Sequence, residues 1–354
     1  MRSGTEPDYH NRVPGIKRLA VRFLTMPVLL PGIEQTTRGT AAVFTLHRFS
    51  AFGRPGHDPG LLTRNLEWLR RRHYRIVSLL DLVKDARAGI APRERTVAFT
   101  VDDGYRDFAE VAAPIFARFD CPVTVFLITG FLDGGTWMWW DRVRFATENT
   151  AHTRGTLHVG STVVDFSLPD LKSRRELARN VVVRLKVLPD RERESMQKSL
   201  EDRLEVSFPT VPPPEFGPMS WDQVRALAAS GVSFGPHSIT HPILARTEDG
   251  RSRVEVTGSW VRLSEQVPEA VPVFCWPNGD ENSFGPREQR IAEEIGMLGA
   301  VSTIPGAFST SCFSGGRAFT LPRYAYPPDH TDFIQIASGL ERLKDFVRSD
   351  VTAP

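Results

Sequence analysis

Along much of this chain, short β-branched runs alternate with stretches in which apolar residues recur every three to four positions. That rhythm belongs to strands joined by crossover helices, which build a parallel sheet or a barrel. The spacing predicts strands over 42–46 (AVFTL), 76–79, 96–101 (TVAFTV), 123–128, 232–234, 271–275 and 300–302. Leu62, Leu66 and Leu69 mark one face of a helix ending near Arg72. Phe108, Val111, Ala112, Ile115, Phe116 and Phe119 make 107–119 an amphipathic helix. Ser220 and Gln223 form a capping box for a helix that Gly231 terminates, and further helices are expected near 254–263 and up to Gly296.

The segment from about 141 to 217 breaks the rhythm. It holds a hairpin-like pair around Gly160 and Ser161, two charged helices separated near Pro189, and the run Pro212, Pro213, Pro214. It reads as an insertion in an α/β unit, and its Arg- and Glu-rich stretch 172–203 as a solvated helical face. The expected organisation is an N-terminal extension over 1–40, helical in part, a barrel over 41–330, and a C-terminal helix and tail over 331–354. With 354 residues, 41% hydrophobic and 24% charged, the chain can bury one large core, and a disordered or fibrous class is excluded. Lys and Arg number 44 against 42 Asp and Glu, so no basic surplus argues for a nucleic-acid partner. The sequence is silent on oligomeric state.

Cys121, Cys275 and Cys312 are too few and too scattered for a disulfide framework or a cysteine zinc site, which favours a reducing compartment. Residues 17–33 (KRLAVRFLTMPVLLPGI) are broken by Arg22 and Pro27 and lack a small-residue cleavage site. They fit neither a signal peptide nor a membrane span, and a helix packed on the domain is expected. The expected location is cytoplasmic, with peripheral contact at a membrane surface left open.

The polar clusters all follow strands. His47 follows the first, Asp102-Asp103-Gly104 follows TVAFTV, His237 and His241 follow 232–234, and Pro277-Asn278-Gly279 follows 271–275. In a parallel barrel these are carboxyl ends, the face where catalytic groups gather. His237 and His241 stand at i and i+4, which on one helical turn sets their Cβ atoms about 5–6 Å apart and lets both rings converge on an ion. Taken alone, the pair is equally compatible with two hydrogen-bonded histidines. Asp102 and Asp103 are neighbouring anions at a buried strand end, a pairing that needs a cation or a raised pKa. A metal on Asp103, with the two imidazoles, leaves Asp102 free to take a proton. The alternative is an Asp-Asp-Gly turn that caps the helix from Asp107.

Thr100-Val101-Asp102-Asp103-Gly104, then His237-Ser238-Ile239-Thr240-His241, then Trp276-Pro277-Asn278-Gly279 resemble, in this order, the polysaccharide deacetylases of the NodB-homology type. The resemblance runs from about Val43 to Tyr326 and includes the WMWWD segment 137–141, similar to one in long-insert members. It implies a deformed (β/α) barrel with a helical insertion, and metal-dependent removal of acetyl groups from N-acetylated sugars. It further implies Asp102 as general base, and Asp103, His237 and His241 as ligands of one divalent metal, with zinc foremost and cobalt, nickel or manganese as alternatives.

Two departures stand out. Many members carry an arginine two positions before the proline of the third motif, where this chain has Cys275; Arg323, in LPRYAY, could supply the guanidinium from another strand. Many also place an acid histidine in a late Leu-x-His motif, where Leu321-Pro322-Arg323 stands here. His47 resembles an early histidine of biofilm-polysaccharide deacetylases and is read as the acid, or else as a supporting core histidine. Tyr105, Trp137, Trp140, Trp276, Pro277 and Asn278 are candidate sugar contacts, although a tryptophan cluster is as often core. His330 is read as surface. Rival functions are a silent glycan-binding homologue, and an amidase or O-acetyl esterase on another substrate.

Overall fold

The computed structural model describes residues 38–134 and 137–342, with the isolated positions 32 and 35. The segment 17–33 therefore lies, apart from 32, outside the described residues. In chain order the strands are β1 (Thr40–Leu46), β2 (Arg75–Ile76), β3 (Thr96–Val101), β4 (Val123–Leu127), β5 (Arg154–Val159), β6 (Thr162–Ser167), β7 (Ser233–Pro236), β8 (Val273–Cys275), β9 (Gly299–Val301), β10 (Phe308–Ser309) and β11 (Tyr324–Ala325). The helices are α1 (Pro59–Arg71), α2 (Leu79–Arg87), α3 (Ala113–Arg118), α4 (Thr129–Leu132), α5 (Trp139–Asn149), α6 (Leu171–Leu185), α7 (Asp190–Leu204), α8 (Trp221–Ala229), α9 (Asp249–Gln266), α10 (Pro286–Glu294) and α11 (His330–Ala337).

The strands form a ring. β1 pairs in parallel with β3 from Ala41 opposite Thr96 to Leu46 opposite Val101, β3 with β4, and β4 with β7. Val271 N donates to Phe234 O at 2.7 Å and carries the chain to β8, which pairs in parallel with β9. Beyond β9, Ser302 N donates to Leu321 O and Leu321 N to Ala300 O, and β11 then returns in parallel to β1. Two of these seams rest on isolated hydrogen bonds rather than long ladders, which is why the barrel is deformed.

Alternation along the strands divides the core. Phe44, Leu46, Val97, Phe99, Val101, Val125 and Leu127 pack outward against helices, with Leu62 and Leu66 of α1 among their partners. Val43, Ala98, Phe126, Val273 and Val301 form a second cluster. A β-carbon on Gly235 would meet the Phe126 ring at 2.7 Å, so only glycine in β7 lets that ring fill the space. Both faces of β3 are buried, and TVAFTV reads as an unbroken apolar run for that reason.

Three local expectations are corrected. The strand expected over 76–79 is only Arg75–Ile76, because Ser78 caps α2 and Leu79, Leu82, Val83 and Ala86 form a buried helical face. The helix expected over 107–119 begins as a π-helix (Phe108–Ala112), with Ala113 N donating to Phe108 O, beside Pro114, which has no N–H for an α ladder. His330 is half-buried, with Nδ1 2.6 Å from Asn65 Oδ1, rather than on the open surface. By contrast, Ser220 and Gln223 close the expected capping box, and Gly231 (φ +93°) follows the helix end.

Between α4 and α8 the chain builds α5, the β5–β6 hairpin, α6 and α7 around their own apolar cluster, which includes Trp139, Val143, Leu157, Val181 and Leu200. Both ends of this segment are tied to the loop after β3. At the start, Tyr105 Oη donates to Asp141 Oδ2 at 2.5 Å. At the end, Arg106 N donates to Gly217 O and Met219 N to Gly104 O.

Candidate active site

Two loops build the centre, and strand geometry explains the first. Thr100 and Asp102 share one face of β3, and Thr45 lies opposite Thr100 in the β1 register. Asp102 N is anchored on Leu46 O at 2.9 Å. The chain then turns through two left-handed residues, Asp103 (φ +77°) and Gly104 (φ +86°). A β-carbon at Gly104 would stand 2.7 Å from Leu127, so glycine is required on two counts.

Asp102 is 1% exposed and gripped by a guanidinium that is itself fully buried. Arg323 Nη1 and Nη2 donate to its two oxygens, each at 2.7 Å, while Arg323 Nε donates to Ser302 O at 2.9 Å. Cys275 Sγ and Thr45 Oγ1 contact Asp102 Oδ2 at 3.4 and 3.3 Å. Burial opposes the charge on Asp102, but the Arg323 cation and its fork of hydrogen bonds outweigh it and hold the carboxyl well below the usual range. Arg323 thus stands where its guanidinium reaches the first acid of the pair from the position just before β11, beside the Cys275 thiol at 3.3 Å.

The second loop is not a helical turn. The i, i+4 spacing of His237 and His241 works through two left-handed residues, Ser238 (φ +65°) and His241 (φ +58°), and this corrects the single-turn expectation. Glu255 on α9, 4% exposed, holds the loop: its Oε2 accepts from Ile239 N and Thr240 N at 2.9 and 2.8 Å, and its Oε1 from Thr240 Oγ1. Each charge-assisted bond contributes about 1.5–3 kcal/mol, enough to offset a left-handed residue at about 1–2 kcal/mol. Ser238 Oγ accepts from His241 N, and Gly130 N donates to Ile239 O. Glu255 was not found from sequence, since its partners are backbone N–H groups that leave no side-chain pattern.

Together the loops set Asp103, His237 and His241 so that their ligand atoms lie within 4.8 Å of one another, all buried. Asp103 Oδ1 is 3.6 Å from His237 Nε2 and 3.8 Å from His241 Nε2. Burial and then the neighbouring His237 push His241 down to about 3, so its ring stays neutral, the form that offers a lone pair. Its Nδ1 is buried without a hydrogen-bond partner. Two imidazole nitrogens and one carboxylate oxygen fit a borderline divalent ion with a coordination position to spare.

The sequence profile of the polysaccharide deacetylase family matches residues 89–180 and 190–297, more than half of the chain. The chain belongs to that family. None of the curated proteins matches it in sequence. Among solved structures it is similar to the PplD deacetylase of Streptococcus pyogenes, in complex with acetate, at 16% identity and a TM-score of 0.55, covering 84% of this chain and 98% of the other. IcaB of Ammonifex degensii gives 15%, 0.54, 84% and 97%, and a de-N-acetylase from Aggregatibacter actinomycetemcomitans gives 16%, 0.51, 87% and 99%. These likenesses support the NodB-type (β/α) barrel as the fold.

Asp102, Asp103, His237 and His241 all lie in the family-matched residues, whereas His47 and Arg323 lie outside them. His47, on the exposed side, has Nε2 3.8 Å from Asp102 Oδ2. Tyr105 is 1% exposed and bonds Asp141; burial, then the Asp141 charge, keeps its hydroxyl protonated. Half-buried Trp140 stands 4.7 Å from the His241 ring. Trp137 joins a separate aromatic group, stacked on Phe216 at 5.7 Å with Phe145 and Phe208. Trp276 offers no open face: it is 1% exposed, stacks on Phe284 and donates from Nε1 to Phe319 O. Pro277 is buried and Asn278 half-buried, its carbonyl accepting from Thr303 Oγ1 at 2.8 Å. Asp107 caps no helix with its side chain; it takes Arg48 Nε at 2.5 Å instead.

Proposed function

We propose that this protein hydrolyses the N-acetyl amide of an acetylated carbohydrate, with Asp103, His237 and His241 holding one divalent ion, zinc foremost. The observation that carries the reading is the buried two-imidazole, one-carboxylate cluster directly beside an ionised carboxylate clamped by Arg323. A bound divalent ion would polarise the amide carbonyl and make water more acidic. Asp102, charged at any physiological pH, takes the proton of the attacking water. Arg323 fixes the plane of that carboxylate through two hydrogen bonds, and the Cys275 thiol lies against both partners, 3.3 Å from the guanidinium and 3.4 Å from the carboxylate. His47, on the open side of Asp102, gives its proton to the departing amine as the C–N bond breaks. Acetate and a free amine are the products.

The test is acetate release from an N-acetylglucosamine oligomer by protein loaded with zinc, cobalt, nickel or manganese. Asp102→Asn should lower the rate by about 10²–10⁴-fold while the metal stays bound. A wild-type protein that binds the oligomer and releases nothing with any of the four metals overturns the proposal and leaves a glycan-binding role.

A further inference from the structure

The two imidazoles of the cluster are held by different means. Nδ1 of His237 lies 2.7 Å from the carbonyl of Cys275, the kind of hydrogen bond that fixes a metal-binding ring in its plane. His241 has no counterpart: its Nδ1 is buried and unpartnered, and its Nε2 faces Asp103 at 3.8 Å. Packing sets the plane of this ring instead. The indole of Trp140 meets it edge to face, with centroids 4.7 Å apart and planes at 73°, and His237 adjoins it at 4.8 Å and 79°. Trp140 is pinned in turn. Its Nε1 donates to Tyr105 Oη at 3.0 Å, and that hydroxyl donates to buried Asp141 at 2.5 Å. Trp140 and Asp141 are consecutive in the first turn of α5, so one phenol two residues past Asp103 grips two successive residues of the inserted segment.

We infer that Trp140 and Tyr105 are positioning residues that hold His241 in its ligating orientation, which makes the first turn of the insertion a working part of the metal centre. This rests on the metal-binding reading above. A ring on a left-handed backbone (φ +58°) whose Nδ1 is held by no neighbouring side chain or carbonyl of the kind that holds His237 depends on its packing walls for direction. Loss of a group that orients a ligand lowers metal affinity by about 10–100-fold. Trp140 therefore acts through His241, and the sugar need not touch it.

Zinc affinity by competition with a chromophoric chelator, the visible spectrum of the cobalt-loaded protein, and the melting temperature of the metal-free protein decide the matter. Trp140→Leu should weaken zinc binding about 10–100-fold and alter the cobalt bands, and Trp140→Phe should recover most of both. Tyr105→Phe, which deletes one hydroxyl and leaves the indole, should give a smaller loss of the same kind in a protein that still folds without metal, its melting temperature lowered because Asp141 and the indole N–H lose their partner. Should Trp140→Leu fail to fold, Tyr105→Phe carries the decision. Zinc affinity and cobalt bands equal to wild type in Tyr105→Phe and in any folded Trp140 variant overturn the inference, whatever happens to acetate release. A wild-type protein that takes up neither zinc nor cobalt overturns the metal reading itself.

Discussion

The loop after β3 and the loop after β7 each deliver charge-bearing side chains to one centre, and they are braced in opposite ways. At the first, the functional side chain itself is gripped: Arg323 closes a fork on Asp102, with Thr45 and Cys275 at the same carboxylate. At the second, the backbone is gripped: Glu255 takes two N–H groups and a hydroxyl from the middle of the loop, and the imidazoles ride on the shape this creates. A fork on the side chain sets protonation and direction together. A brace on the backbone sets geometry and leaves the ring chemistry alone. Damage to the first loop should thus appear in pH behaviour and stability, and damage to the second in metal binding.

The largest effect is expected at the fork. Arg323→Met strands a buried carboxylate, which should cost about 3–5 kcal/mol of unfolding free energy in urea. Without the cation, the burial that opposes charge on Asp102 is unbalanced, so its pKa rises and the acid limb of the kcat/KM profile moves to higher pH. An unmoved limb would show that Asp102 does not set it. At the second loop, Glu255→Gln should weaken zinc binding about 10–100-fold in a chelator titration and leave the position of that limb alone. If the limb moved and the affinity did not, the contrast between the two braces would fail.

Outside both loops, buried His57 supplies a pH reference. Burial, followed by the His47 charge, holds it at about 3, below its unfolded value of about 6.5. Its contribution is intact above about 6.5 and is lost as pH falls towards 3, at about 1.4 kcal/mol per unit. His57→Phe, which keeps a ring against Tyr326, should flatten that slope in unfolding curves between pH 4 and 7. Smallest of all, Ser220→Ala removes the cap of α8 and should cost about 1 kcal/mol with no change in zinc affinity. A change in affinity there would mean that the centre senses global stability rather than its own braces.

Much of this was legible because it is local. β3 occupies the predicted span 96–101, and the Ser220 capping box closes as read. The acid pair and the histidine pair stand at strand ends as their positions along the chain required. What escaped depends on partners far away in sequence or on backbone alone. Glu255 reaches a loop some sixteen residues back through N–H groups, which every residue but proline carries. The left-handed backbone at Ser238 and His241 has no glycine to announce it. Trp276 and Trp140 look alike as letters, yet one is sealed against Phe284 and the other lies against His241.

Sequence by itself determined the alternating strands and helices, because periodicity is a property of neighbouring residues, and three short motifs in order carried the resemblance to the family and named the four side chains at strand ends. Only the tertiary structure decided that Arg323, 221 positions from Asp102, closes on it, that Glu255 shapes the histidine loop, and that an inserted helix leans on His241. Those are contacts between segments that share no local pattern, fixed by how the ring of strands closes and by where burial leaves a charge in need of a partner.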